Sequence, residues 1–388
     1  MEVLRAQCRW FVGRLVRGAG SVGPVTEPDA IEVVVWGSGN MGRAAIRAVD
    51  AHPGLTLVGV IVASPHKVGI DAGDLARIDR KLGVVATADV ESVLASGPGA
   101  VAYMASGDIR PDEAAADIAR ALRSGAVVVT PALYALYDPR NAPSDVRGPI
   151  EAACAAGKSS LFVSGVDPGW GNDVLPVLIS GLAGTVDQVR CREIFDYSTY
   201  DQPDAVRYLV GMGQPMDYEP PMVAPTIPTM VWGGQLRLIA RALDVEIDEI
   251  RETVERRPLE HAVQNTMGAF EAGTQGALRF EVQAIVGGEP RIVVEHVTRI
   301  DAACAPEWPL PPDGGAGAHT VIIEGRPRIE VTLEATDEGG NRAAGGNATA
   351  AGRLVNAIPW LRAAAPGLYD ALDVPLTPAA GRIGRSQP

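Results

Sequence analysis

Gly37, Gly39 and Gly42 fall within one hexapeptide, Gly37-Ser38-Gly39-Asn40-Met41-Gly42. Glycines at that spacing let a main chain turn sharply and press its amides against a pyrophosphate. The first permits the turn, the second lets the backbone approach the phosphates, and the third lets a helix pack closely on a strand. The apolar run Ile31–Trp36 leads straight into this loop, and Arg43–Ala51 follows with Ala45, Ile46 and Val49 at helical spacing. That context gives the motif meaning, because a helix start offers free N–H groups and a partial positive charge to the phosphates. The expected ligand is a nicotinamide dinucleotide held by Gly37, Ser38, Gly39, Asn40, Met41 and Gly42.

An NAD-selective site usually places an acid at the end of the second strand, about 20 residues on, to hold the ribose hydroxyls. Here the run Leu55–Val62 ends in Ala63-Ser64-Pro65-His66-Lys67, with no acid before Asp71. Ser64, His66 and Lys67 supply a hydroxyl, an imidazole and an ammonium. They favour the 2′-phosphate of NADP(H) over NAD(H), although the same residues also suit a solvated turn.

Ligands of doubly wound sheets lie beyond the carboxyl ends of the strands. Three segments occupy such places: 105–111, 130–134 and 164–173. Ala105, Ser106 and Thr130 are expected along the cofactor. Asp108 is the candidate catalytic carboxylate and Glu113 the runner-up, but both also suit a helix start, where negative charge is favourable. Asp167-Pro168-Gly169-Trp170 reads as a tight turn, and Asn172 or Asp173 is placed to cap the following helix. Tyr103, Tyr134, Asp167, Trp170, Asn172, Tyr197 and Trp232 are the candidate pocket residues, with the core as the competing reading for each aromatic. His52, His66, His261, His296 and His319 are isolated along the chain, and none stands out as an acid or base. Cys8, Cys154, Cys191 and Cys304 lie far apart without a CxxC pair, so neither a metal site nor a disulfide framework is expected.

The elements that must position these residues follow a clear order. Short apolar strands alternate with helices as far as Leu161–Val163: a helix from Pro111 to about Ser124, the strand Val127–Thr130, and a helix Pro149–Ala156. Strands of that kind imply a parallel sheet covered on both faces. Beyond Gly165 the runs Val186–Asp196, Ala277–Val286, Arg291–Ile300 and Thr320–Leu333 are longer and better alternated, and Gly287-Gly288 signals a hairpin. Helices are expected at about Trp232–Leu243, Asp248–Arg256 and Ala348–Leu361. The fold class is α/β: an N-terminal doubly wound Rossmann domain (30–164), then an α+β domain of mainly antiparallel sheet (165–347). A C-terminal helix packs back (348–375). Residues 1–29, with Arg5, Arg9, Arg14 and Arg17 against Glu2 alone, read as a basic disordered extension, and 376–388 as a disordered tail.

A length of 388 residues exceeds the roughly 250–300 at which a single core stops growing. The net charge of −13 repels phosphate backbones and argues against nucleic acid as a partner. No apolar run reaches 18 residues, so no membrane span is expected, and the chain reads as cytoplasmic.

Taken as a set, the residues resemble the amine dehydrogenases related to diaminopentanoate dehydrogenase, themselves distant relatives of dihydrodipicolinate reductase. The resemblance covers about Ile31 to Pro375. It rests on Trp36–Gly42, Ser64-Pro65-His66-Lys67-Val68-Gly69, Ser164–Gly169, Tyr197-Ser198-Thr199-Tyr200-Asp201, Val321–Gly325 and Asn356-Ala357-Ile358-Pro359. It implies reversible, NAD(P)H-dependent reductive amination of a small carbonyl with ammonia, usually by a homodimer built through the second domain. The family's working carboxylate follows the fourth strand, where Asp108 is the nearest position. A Glu-Lys-Pro of the sugar dehydrogenases is absent, there being no lysine near Thr130, as is the paired-histidine motif of dihydrodipicolinate reductase proper. Two alternatives stay open: an imine or enamine reductase, and an NADPH-binding sensor without turnover.

Overall fold

The computed structural model describes residues 30–107, 110–200, 202–312, 315–336, 340 and 342–384. The basic segment 1–29 and the candidate Asp108 lie outside the described residues. Among the described residues, no helix is long and apolar enough to cross a membrane.

Six strands in the first half form a parallel sheet: β1 (Ile31–Trp36), β2 (Leu55–Ile61), β3 (Ala86–Thr87), β4 (Ala100–Tyr103), β5 (Val127–Thr130) and β6 (Ser160–Val163), ordered β6-β5-β4-β1-β2-β3. The chain winds outward from β1 in one direction and then returns to its other side, so the crevice between β1 and β4 is the switch point where such sheets bind ligands. The helices α1 (Asn40–Asp50), α2 (Ala72–Ala76), α3 (Val90–Ala95), α4 (Pro111–Arg123) and α5 (Ser144–Gly157) connect these strands. Because side chains alternate across a strand, the sheet feeds two separate cores. Val33, Val35, Val60, Ala102, Val129 and Phe162 pack with α1, whereas Val34, Trp36, Val101, Tyr103, Val128 and Leu161 pack with α4 and α5.

The second half adds α6 (Val174–Ser180), β7 (Thr185–Asp196), α7 (Ile227–Ala242), β8 (Glu249–Pro258), β9 (Val263–Asn265), β10 (Gly268–Phe270), β11 (Gln275–Val286), β12 (Glu289–Arg299), β13 (Gly317–Arg326), β14 (Ile329–Leu333), α8 (Arg342–Ala363) and β15 (Gly367–Tyr369). A six-stranded sheet runs β14-β13-β7-β12-β11-β8, antiparallel except between β7 and β12. The hairpin at Gly287-Gly288 forms as the sequence indicates, both glycines having positive φ (62° and 83°). Helix α8 returns to the first sheet, where Leu354, Val355, Ile358 and Leu361 join the α1 side of its core, and β15 pairs with β6.

Several expectations are corrected. The segment 248–256, expected as a helix, is the edge strand β8. Its pairing with β11 brings Val254 opposite Phe280, and the charged residues that suggested a helix are those that protect an exposed edge. The run Thr320–Leu333 is two strands, β13 and β14, folded back on each other. Helix α5 starts at Ser144 and carries Pro149 inside it. The carbonyl that the proline leaves without an N–H belongs to the exposed Asp145, where water can satisfy it. The tail expected to lack structure is described as far as Gly384. There, Arg353 Nη1 donates to Thr377 Oγ1 at 3.1 Å, and Arg382 bonds Asn356.

Candidate functional site

The glycine loop sits where β1 hands over to α1. Gly37 has φ 103°, and a Cβ there would lie 2.7 Å from the Ala105 amide nitrogen, so the loop after β4 abuts the glycine loop. A Cβ on Gly42 would lie 1.9 Å from the Gly37 carbonyl oxygen, whereas one on Gly39 would meet no atom of the described residues within 4 Å. The first and third glycines are therefore required by packing, and the second faces open space. Gly39 caps α1 without a side-chain bond, and no acid stands in the first turn, so that turn brings no anion of its own to its N–H groups. These are the features a pyrophosphate requires. Lys67 reaches back from the loop after β2, with Nζ donating to the Ser38 carbonyl at 3.3 Å. Ser64 is half-buried and His66 exposed beside it. Thr130 is buried, its hydroxyl accepting from the Ala132 amide at 3.0 Å.

The loop after β6 folds on itself. The Trp170, Gly171 and Asn172 amides donate to the Gly165, Val166 and Gly169 carbonyls at 2.8–3.0 Å. Asn172 closes the turn: its Oδ1 accepts from the Gly169 amide, and its Nδ2 donates to Asp167 Oδ1, both at 2.8 Å. The capping role falls to Asp173, whose Oδ1 accepts from the Val174 amide at the start of α6. Trp232 of α7 donates Nε1 to Asp167 Oδ1 at 2.7 Å. The Asp167 side chain is 4% exposed.

Asp167 meets a row of polar side chains that strand register assembles. His296 of β12 lies opposite Glu193 of β7, and His319 of β13 lies opposite the same Glu193 from the other side. His296 Nδ1 is 2.7 Å from Glu193 Oε2 and its Nε2 is 3.4 Å from Asp167 Oδ1; His319 Nδ1 is 3.8 Å from Asp167 Oδ2. The His296 ring stacks on Phe280 (centroids 4.7 Å apart) and contacts Trp232 (4.4 Å). Burial alone would drive His296 toward its neutral form, but Asp167 and Glu193 overcome it and raise its pKa to about 10. Burial works against the Asp167 charge too, and His296 outweighs it, holding that carboxyl below its ordinary value. Tyr197 is pushed well above the usual phenol range by burial first, then by the charges of Glu193, Tyr200 and Asp167. Asp167, Glu193 and His319 offer ligand atoms all within 4.8 Å of one another, a spacing suited to a bound cation.

The structure thus gathers Asp167, Asn172, Tyr197 and Trp232, and adds Glu193, His296 and His319, which the sequence reading left aside. Their signal was present: each interrupts an otherwise apolar inward stripe, as in Val189-Cys191-Glu193, Ile292-Val294-His296 and His319-Val321-Ile323. Tyr134 and Trp170 are half-buried and border the second core, and Tyr134 also borders the first sheet's core. Tyr103 is corrected to a core residue. Sharing the parity of Val101, it points into the α4 layer, fully buried, edge-on to Trp36 at 5.5 Å and 3.4 Å from Asp117 Oδ2. Glu113 is exposed in the first turn of α4, where the helix dipole accounts for it.

Asp173 provides a stability test. Burial raises its pKa to about 6 against the pull of Arg353. A carboxyl whose pKa is higher in the folded state favours folding below its unfolded value of 3.8 and opposes it increasingly as pH rises through the folded value. Asp173→Asn keeps the Oδ1 cap and cannot ionise. It should stabilise the protein by about 3 kcal/mol at pH 8, half of that near pH 5 and almost nothing near pH 4. Thermal melts at the three pH values check this.

A family model described as the 2,4-diaminopentanoate dehydrogenase C-terminal domain matches residues 172–385, and one described as the N-terminus of dihydrodipicolinate reductase matches residues 31–103. A protein named amine dehydrogenase, from Streptomyces virginiae, is 72% identical over 358 residues, 92% of this chain and 99% of that one. The solved structure of amine dehydrogenase from Mycobacterium smegmatis shares the fold, with a TM-score of 0.71 at 21% identity over 90% of this chain and 97% of that one. A 4-hydroxy-tetrahydrodipicolinate reductase from Nostoc is 41% identical over 71 residues, 18% of this chain and 26% of that protein.

Proposed function

The chain belongs to the amine dehydrogenase family that carries the 2,4-diaminopentanoate dehydrogenase C-terminal domain, and from that premise we propose reversible, NAD(P)H-dependent reductive amination of a small ketone or aldehyde. It is an oxidoreductase acting on CH–NH2 groups. The observation that carries the reading is the buried carboxylate–imidazole row, Asp167, Glu193, His296 and His319. Carbonyl and ammonium condense to an iminium with loss of water, and a fixed negative charge stabilises that cation without having to reorganise. Asp167 is held in place for this task by Trp232 and Asn172. Asp108, which follows β4 in sequence, is the carboxylate proposed to move protons during condensation and hydrolysis. When bound, the reduced nicotinamide supplies hydride to the iminium carbon. Gly37–Gly42, Ala105, Ser106 and Thr130 are the residues proposed to hold it.

NADP(H) is favoured over NAD(H). Lys67 bends over the glycine loop, and the segment 63–70 carries no acid. Lys67→Ala should weaken NADPH binding about tenfold or more, the worth of a charge-assisted bond to phosphate, and change NADH binding less than about twofold. Titration calorimetry with both cofactors checks it.

The same reading includes a homodimer formed through the second sheet. Its support is the face opposite the row, where Arg190, Arg192 and Arg279 surround Glu295, whose side chain is fully buried (0% exposed). A cytoplasmic location belongs to it as well, supported by the buried free thiols of Cys154, Cys191 and Cys304.

The test is a nicotinamide absorbance screen of amines with NADP+, and of aldehydes and ketones with NADPH with and without ammonium. Turnover that requires ammonium supports reductive amination. Turnover without it indicates an imine reductase, and no turnover with any member of the panel removes the enzymatic reading.

A further inference from the structure

We propose that Asp167, Glu193 and His319 form a subsite that takes the nitrogen of the substrate as a cation, so that ligands are selected for an ammonium or iminium group over a neutral isostere. This deepens the reading above and rests on its placement of the substrate pocket. Two carboxylates, Asp167 and Glu193, converge on His296 and His319, and the buried His319 Nδ1 has no hydrogen-bond partner among the described residues. His296 occupies Glu193 Oε2 and the Oδ1 side of Asp167. Asn172 and Trp232 also use Asp167 Oδ1, so Oδ2 is turned toward His319 instead.

The spacing fits such a ligand. The three groups have ligand atoms within 4.8 Å of one another. A tetrahedral nitrogen donating three bonds of about 2.9 Å spaces its acceptors by about 4.7 Å, which is inside that limit, and His319 Nδ1, now 3.8 Å from Asp167 Oδ2, would draw back by about 1 Å to admit it. The two carboxylates are acceptors only, and an alcohol with one O–H satisfies only one of them. Beside His319 a small cavity is lined by Phe195, Ala318, Leu333, Ala335 and Thr349.

The experiment uses protein loaded with NADPH, which cannot turn an amine over. Alkylammonium chlorides from methyl to hexyl are titrated calorimetrically against alkanols of the same chain length. At least one ammonium should bind at least tenfold more tightly than its alkanol. Glu193→Gln removes one of the two carboxylates and should reduce that preference to within twofold, with NADPH affinity unchanged. Should Glu193→Gln fail to fold, His319→Leu is read in its place, with an expected tenfold loss of ammonium affinity and unchanged alkanol affinity.

Equal binding of alkanol and ammonium, binding of neither, or a preference that survives Glu193→Gln overturns the inference. So does a stoichiometric divalent metal in the purified protein whose removal by chelation abolishes the preference. Turnover in the amine screen without ammonium preference refutes this inference alone. A preference without turnover of any amine refutes the reading of the reaction and leaves the subsite standing.

Discussion

Replacing Asp167 by Asn should lower kcat for amine oxidation by about 100- to 1,000-fold, the range seen when one preorganised electrostatic contact to a developing charge is removed, and leave NADPH affinity within about twofold. Asparagine has the same shape and retains an oxygen for Trp232 Nε1 and Asn172 Nδ2, which both bond Oδ1 of the native residue. The charge disappears, and the Oδ2 acceptor that faces His319 becomes an amide donor. His296 then loses one of the two carboxylates that raise its pKa, so it should release its proton at a lower pH. The sign follows: a raised imidazole pKa stabilises the fold below the ordinary value near 6.5 and stops doing so as pH rises through the folded value, about 10 here. In Asp167→Asn that window closes from the alkaline side, so the variant should melt earlier than the parent, with the gap full near pH 5–6 and narrowing toward pH 9 as the parent's own window closes. Steady-state kinetics, cofactor titration and melts over pH 5–9 give the three readings. Unchanged kcat would move the cation-stabilising role to another carboxylate, with Asp108 the next to replace.

The first sheet was legible because its signals are local. Buried parallel strands are short apolar runs, Gly125 follows its helix and Gly157 is the last residue of α5, and the motif at Gly37–Gly42 stands between a strand and a helix. The row at Asp167 is not local. Glu193, His296 and His319 come from strands far apart in sequence, and only the pairing of β12 and β13 on either side of β7 makes them neighbours. Periodicity could show that each faces inward, but no property of one strand fixes its register against another. The error at 248–256 has the same origin. Glu249, Arg251, Glu252, Glu255 and Arg256 suit a solvated helix by composition, and pairing with β11 overrides that propensity. Tyr103 lies near the cleft in sequence, but strand parity sends it to the opposite face from Ala102.

Two alanine substitutions in the glycine loop should separate folding from cofactor binding. Gly42→Ala places a methyl carbon 1.9 Å from the Gly37 carbonyl oxygen and 2.6 Å from its carbon. Both are backbone atoms of the turn itself, so no side chain can move aside, and α1 must shift away from β1. The core formed by Ala45, Ile46 and Val49 against Val33 and Val35 moves with it, and a loss of several kcal/mol is expected, in the range of the severest packing changes. Gly39→Ala has no such conflict. Its φ of −74° is open to any residue, and its methyl meets no atom of the described residues within 4 Å. Reduced freedom of the unfolded chain should even stabilise it by about 0.4–1 kcal/mol. Yet the methyl stands where the pyrophosphate must approach the main chain, and NADPH affinity should fall by at least about 100-fold, since the phosphate bonds to α1 are charge-assisted. A melting curve and a binding isotherm on each variant test the pair. A turn of glycines without a ligand predicts a different outcome: Gly39→Ala would bind NADPH as the parent does. A well-folded Gly39→Ala protein with undiminished affinity would therefore remove the loop from the cofactor site, and with it the placement of the nicotinamide at the crevice between β1 and β4.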